Sequence, residues 1–131
     1  HPRTAKLLST GLDAELLVAV KANPRFKLTE PVSFLEMISL ELHCCLVMTD
    51  SGGVQKEAFY FQKPCVILRP ETEWVELVDC GAAIVADADE SRISVAFEKL
   101  YKKKDLTFPP LYGNGHAAEF ICGELVACFA V

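Results

Sequence analysis

The sequence predicts an α/β fold, a three-layer sandwich with helices covering both faces of a mainly parallel sheet. Three observations carry this expectation. Apolar runs at residues 46–48, 65–68 and 83–86 have the length of buried strands. Each run stops at turn residues, and each is followed by apolar residues at helical spacing. Strands alternating with helices close as parallel βαβ units, with a ligand crevice at the carboxyl ends of the strands.

In chain order, Asp13 caps a helix with Leu16, Leu17 and Val20 on its apolar face, and Asn23-Pro24 ends it. Phe26 and Leu28 alternate as a strand up to Glu30-Pro31. Ser33 and Glu36 have capping-box spacing and open a helix running to about residue 42, with Phe34, Leu35, Ile38 and Leu42 turned towards a core. The strand at 46–48 enters the turn Thr49-Asp50-Ser51-Gly52-Gly53. Val54, Ala58 and Phe61 define the helix behind it, closed by Lys63-Pro64. The strand at 65–68 ends at Arg69-Pro70-Glu71-Thr72, and a helix follows over 73–78. A last strand covers 83–86. Asp89 then caps a helix with Ile93, Ala96, Phe97, Leu100 and Tyr101 on one face, which ends in the solvated run Lys102-Lys103-Lys104. A glycine turn at 112–115 leads to a terminal helix with Ala118, Ile121, Cys122 and Leu125 on one side.

Two strand ends therefore open side by side onto two helix starts. Helix N-termini present unpaired N–H groups and partial positive charge, and glycine lets an anion approach the backbone. Ser51, Gly52 and Gly53 are thus a candidate phosphate cradle. Glu57, four residues beyond Gly53, falls on the same helix face one turn further in, where a carboxylate can accept from the two vicinal hydroxyls of a ribose. Arg69 is a candidate cation for a diphosphate, and Thr72 a candidate cap for the helix from Glu73. The same spacing also fits a plain turn in which Ser51 caps a helix, Glu57 is solvated and Arg69 forms a surface ion pair.

The ordered elements at 49–58 (TDSGGVQKEA), Arg69 and Thr72-Glu73-Trp74-Val75-Glu76 resemble the C-terminal half of the non-hydrolysing UDP-N-acetylglucosamine 2-epimerases, whose pattern is T-D-S-G-G-x-Q-x-E-A, a strand, an arginine and T-E-x-x-E. The resemblance is densest over 31–77 and thinner at 1–4 and 112–118. It implies a Rossmann-like domain, one half of a glycosyltransferase-B-type fold, so that residues 1–131 form a single C-terminal UDP-binding domain whose N-terminal half is absent. It also implies interconversion of UDP-N-acetylglucosamine and UDP-N-acetylmannosamine by elimination and re-addition of UDP, without a cofactor. The expected partners are the UDP-sugar, the N-terminal domain and, in the full-length protein, a second copy in a homodimer. His1 matches the family's cleft histidine and becomes the candidate catalytic residue of the full-length protein; in the isolated chain it is simply the first residue. Pro2 departs from the usual arginine, with Arg3 in its place as a UDP contact. Pro31, with Phe34, matches the wall around the uracil; Glu73 matches a cleft glutamate, whereas Trp74 is left to packing. Asn114 stands where the family's G-D-G-x-A motif has aspartate. The segments Q-K-E-A and T-E-W-V-E-L also resemble epimerases acting on UDP-2,3-diacetamido-glucuronate, and a non-catalytic UDP-sugar-binding module is the alternative from a different class.

Composition bounds these readings. A chain of 131 residues with 51% apolar composition suffices for one core, and the net charge of −5 argues against nucleic-acid binding. The six cysteines include no C-x-x-C pair and lie in apolar runs, which predicts reduced thiols, a cytoplasmic setting and no metal site. No apolar run approaches the roughly 20 residues of a membrane span.

Overall fold

The structure, a computed structural model, describes residues 6, 8, 10, 11 and 13–129. The chain forms two compact units, His1–Ser39 and Leu40–Val131.

The first unit holds helix α1 (Ala14–Ala22) and the start of helix α2 (Phe34–His43). Both starts are capped as the sequence predicts. Asp13 accepts from the N–H groups of Glu15 and Leu16 at 2.8 and 3.3 Å. The Ser33 N–H and hydroxyl both donate to Glu36 Oε2 at 2.7 Å, and these bonds hold the Glu36 carboxyl below its ordinary pKa. The expected strand at Phe26 and Leu28 does not form: residues 26–33 carry no regular structure, and both side chains are at least half exposed. A strand exists through its ladder, and no described residue pairs with these. The expected apolar faces also fail. Helix α1 buries nothing, and Phe34, Leu35 and Leu42 of α2 are exposed, Phe34 at 69%. The buried side chain of α2 is Glu41.

The second unit is built on three parallel strands, β1 (Val47–Thr49), β2 (Cys65–Ile67) and β3 (Ala83–Val85), in the order β1-β2-β3, with Val47, Cys65 and Ala83 in register. Helix α3 (Gly52–Tyr60) joins β1 to β2, and the one-turn helix α4 (Val75–Asp79) joins β2 to β3. Two right-handed crossovers in one direction put both helices on the same face. Alternation along β2 then separates two cores. Cys65 and Ile67 pack with Ala58 and Phe59 of α3, Leu77 of α4 and Ala83. Val66 points the other way, to Ala96 and Leu100 of helix α5 (Glu90–Lys102). The expected three layers are present, with α5 capped by Asp89, which accepts from the Arg92 N–H at 2.7 Å. Helix α6 (Ala117–Phe129) buries none of its side chains, contrary to the packed face expected at Ala118, Ile121, Cys122 and Leu125.

Both crossover helices end in the same way. At α4, Gly81 (φ 76°) donates to Val78 O, and Ala82 donates to Leu77 O at 3.0 Å. At α3, Lys63 donates to Ala58 O at 2.8 Å and Gln62 to Phe59 O at 3.0 Å, with Gln62 at φ 57°. Glutamine has a Cβ in a backbone region that glycine enters freely, and this strain costs about 1 kcal/mol. Gln62→Gly should therefore raise the stability of the chain by about 0.5–1 kcal/mol, whereas Gly81→Ala should lower it by at least about 1 kcal/mol. Urea unfolding of the two variants checks the opposite signs.

Candidate functional site

The site grows from the β1–α3 turn. Ser51 leaves β1 in an extended conformation, donates its N–H to Thr49 Oγ1 at 3.0 Å and accepts a long bond from the Val54 N–H at 3.5 Å. The first intrahelical bond runs from the Gln55 N–H to Ser51 O. The N–H groups of Gly52 and Gly53, in the first turn of α3, have no intrahelical acceptor. Gly53 is exposed, and a Cβ added there would meet only Ser51 Oγ at 3.9 Å. The cradle is therefore open to an anion from solvent.

Gly52 faces the β2–α4 loop. A Cβ on Gly52 would lie 3.4 Å from Glu73 Oε2, 3.7 Å from Trp74 Nε1 and 3.8 Å from Arg69 Nη1. Three hydrogen bonds hold the loop there. Trp74 Nε1 donates to Gly52 O at 2.8 Å, the Thr72 hydroxyl donates to Gln55 Oε1 at 2.6 Å, and Thr72 Oγ1 accepts from the Trp74 N–H at 3.1 Å. Thr72 thus pins the loop to α3 instead of capping a helix, and α4 begins only at Val75, later than the predicted helix start at 73. The expected second set of cleft amides reduces to a single short turn.

Arg69 is already partnered. Its guanidinium donates to both oxygens of Glu73, at 3.0 and 2.7 Å, in the fork geometry that suits a carboxylate or a phosphate. This pairing raises the Arg69 pKa and lowers that of Glu73, in each case chiefly through the shared hydrogen bonds. The Glu73 carboxylate therefore stands beside Gly52 and fills the Arg69 fork, whose Nη1 lies 3.8 Å from the same Cβ position. Glu57 lies one turn further along α3 and is half-buried.

Of the predicted site residues, the structure brings together Ser51, Gly52, Gly53, Arg69, Thr72 and Glu73, with Glu57 along the same helix. Pro31 belongs to the first unit, where it is exposed. His1 and Arg3 lie outside the described residues. Asn114 accepts from the His116 N–H at 3.1 Å and so fixes the turn before α6. Among the described residues, no group of three or more His, Cys, Asp or Glu could hold a metal ion, and no helix is long and apolar enough to cross a membrane.

Sequence reasoning left Trp74 to packing, and it does pack against the core; what it missed was the bond from Trp74 to Gly52 and the position of Lys56. The Trp74 indole binds the glycine turn and also stacks edge-on against Tyr112, with ring centres 5.7 Å apart, while Lys56 Nζ sits 4.3 Å above Trp74 and 4.4 Å above Tyr112. A lysine at i+4 from Gly52 gave the available hint, since it shares a helix face with the turn. A shallow cavity of about 110 Å³ lined by Phe59, Tyr60, Phe108 and Tyr112 lies at the C-terminal end of α3, away from the cradle.

This arrangement has close counterparts among known proteins. The chain is 43% identical over 126 residues to the UDP-2,3-diacetamido-2,3-dideoxy-D-glucuronate 2-epimerase of Pseudomonas aeruginosa, covering 95% of this chain and 33% of that protein. It is 40% identical over 121 residues to the UDP-N-acetylglucosamine 2-epimerase of Methanocaldococcus jannaschii, covering 92% of this chain and 32% of that protein. A crystal structure of the M. jannaschii UDP-GlcNAc 2-epimerase in complex with UDP-GlcNAc and UDP superposes with a TM-score of 0.77 at 38% identity, over 97% of this chain and 34% of the other. The chain spans about a third of the length of these relatives. The UDP-N-acetylglucosamine 2-epimerase family profile matches residues 1–126, and with the parallel sheet and the Ser-Gly-Gly turn in place, this chain belongs to that family.

Proposed function

We propose that this chain is the UDP-holding part of an enzyme that interconverts UDP-N-acetylglucosamine and UDP-N-acetylmannosamine by eliminating UDP and adding it back. The observation that carries the reading is the open N-terminus of α3 beside Arg69. Gly52 and Gly53 offer two amides and a partial positive charge, and the Arg69 fork stands next to them, now filled by Glu73. A diphosphate would take the amides and exchange with Glu73 on Arg69. In this reading Glu57 accepts from the ribose hydroxyls, Thr72 and Glu73 shape the cleft, Pro31 lines the base, and His1 and Arg3 lie near the diphosphate in the full-length protein. The neighbouring enzyme from M. jannaschii, with UDP-GlcNAc and UDP bound, supports the ligand class.

A second substrate has a specific observation in its favour: the P. aeruginosa relative, at 43% identity, is named for UDP-2,3-diacetamido-2,3-dideoxy-D-glucuronate. Both reactions share the leaving UDP and differ in the sugar. The chemistry at the sugar C2 belongs to the N-terminal portion of a longer protein. Exposed Phe120, Ile121, Val126 and Phe129 on α6 support a packing partner beyond these residues, for which the N-terminal domain is the candidate, with a homodimer as the full-length assembly. Six unpaired cysteines support a reducing, cytoplasmic setting.

Isothermal titration of the chain with UDP, uridine and 2′-deoxy-UDP tests the binding reading. UDP should bind more tightly than uridine, and about tenfold more tightly than 2′-deoxy-UDP, because one charge-assisted bond to Glu57 is worth roughly 1.5–3 kcal/mol. Glu57→Gln should shrink the ribose preference and leave the preference for UDP over uridine in place. Equal affinity for UDP and uridine would refute the cradle.

The reaction is read in the full-length protein. Incubation in D₂O with either UDP-sugar should place deuterium at C2 of the true substrate and of its epimer, whereas the 131-residue chain alone should incorporate none. Binding of both sugars with no exchange in the full-length protein would point to a non-catalytic module instead.

A further inference from the structure

Lys56 is the only basic residue of α3, and among the described residues no carboxylate forms an ion pair with it. Its half-buried side chain turns to two aromatic faces instead. The ammonium lies 4.3 Å from the centre of the Trp74 ring and 4.4 Å from that of Tyr112. The two rings meet edge-on at 78°, with centres 5.7 Å apart, and so form a corner that the charge occupies. Each face carries the negative side of a ring quadrupole, which is the charge distribution that attracts a cation.

The three groups come from three segments of the second unit. Lys56 stands on α3, one turn beyond Gly52; Trp74 stands on the β2–α4 loop; Tyr112 stands in the turn before α6. Tyr112 is itself seated on α3, with ring centres 5.9 Å from Phe59 and 6.0 Å from Tyr60. Its hydroxyl reaches Glu76 only at 3.5 Å, so its ring is what holds it in the cluster. Trp74 is therefore gripped twice from the same helix. Its Nε1 donates to the Gly52 carbonyl at 2.8 Å, and its face takes the Lys56 ammonium.

We propose that Lys56 clasps Trp74 and Tyr112 and thereby holds the β2–α4 loop, with Arg69 and Glu73, at the Gly52 and Gly53 amides. The proposal rests on the reading of that site as one for a diphosphate. The ammonium is committed to the two rings and acts through Trp74, so Lys56 is a positioning residue and not a phosphate ligand.

Trp74 is the only tryptophan of the chain, so its indole N–H gives a single signal in a ¹⁵N NMR spectrum, and the exchange of that proton with solvent reports on the clasp in nucleotide-free protein. Lys56→Met keeps the unbranched stem and removes the charge; Tyr112→Leu keeps the charge and removes one face. Both should speed the exchange several-fold and weaken UDP binding about three- to tenfold, with little change for uridine. Lys56→Arg retains a cation that stacks on aromatic rings, and Tyr112→Phe retains the ring; both should behave as wild type. Wild-type exchange in Lys56→Met overturns the clasp whether or not the chain binds UDP. Faster exchange with unchanged UDP affinity removes the positioning role. Weaker UDP binding in Lys56→Met with unchanged exchange would make Lys56 a direct phosphate ligand instead. Tyr112 also packs on the core, and if Tyr112→Leu fails to fold, the contrast between Lys56→Met and Lys56→Arg decides the matter. A wild-type chain that does not bind UDP would sink the diphosphate reading and leave the exchange rates to judge the clasp.

Discussion

The site depends on the β2–α4 loop being held against the first turn of α3. Trp74 Nε1 reaches the Gly52 carbonyl at 2.8 Å, and the Glu73 carboxylate stands 3.4 Å from the position a Cβ on Gly52 would take. Everything at the strand ends follows from this approach. Thr72 comes within 2.6 Å of Gln55, Arg69 is brought beside the helix N-terminus, and Lys56 finds two aromatic faces.

The core beneath the turn gives it a fixed base. Gln55 is fully buried and Ala58 and Phe59 pack on β2, so α3 is anchored along one side while its first turn stays open to solvent. Val66, pointing the opposite way, is covered by Ala96 and Leu100 of α5. A strand buried on both faces is hard to displace, and β2 carries Arg69 immediately beyond its end. The rigid part of the second unit therefore supports the two groups that would meet a diphosphate. Glu73 fills the Arg69 fork at 2.7 Å, which keeps the guanidinium oriented and its charge balanced.

The parts of this fold that were legible in the sequence are those governed by local chemistry. Asp13, Ser33 and Asp89 announce helix starts because their side chains bond nearby N–H groups, and the apolar runs of β1, β2 and β3 have little other use. The Ser51-Gly52-Gly53 turn was legible for the same reason. Periodicity, however, says which residues share a face and not which face turns inward: α2 pairs exposed Phe34 and Leu35 with a buried Glu41. A strand at Phe26 and Leu28 needs a ladder partner that no local pattern can supply. The Arg69–Glu73 pair could have been read from opposite charges four residues apart, but Trp74's bond to Gly52 spans 22 residues and follows only from the fold.

The central claim is that the backbone amides at the start of α3 receive a diphosphate. Amide chemical shifts of Gly52 and Gly53, followed by two-dimensional ¹⁵N NMR during addition of UDP and then of uridine, test it most directly. The account predicts large shifts of both glycine amides with UDP, accompanied by a change at the Arg69 guanidinium as Glu73 is displaced, and small shifts with uridine. Glycine amides that stay unmoved while UDP shifts resonances elsewhere would contradict it.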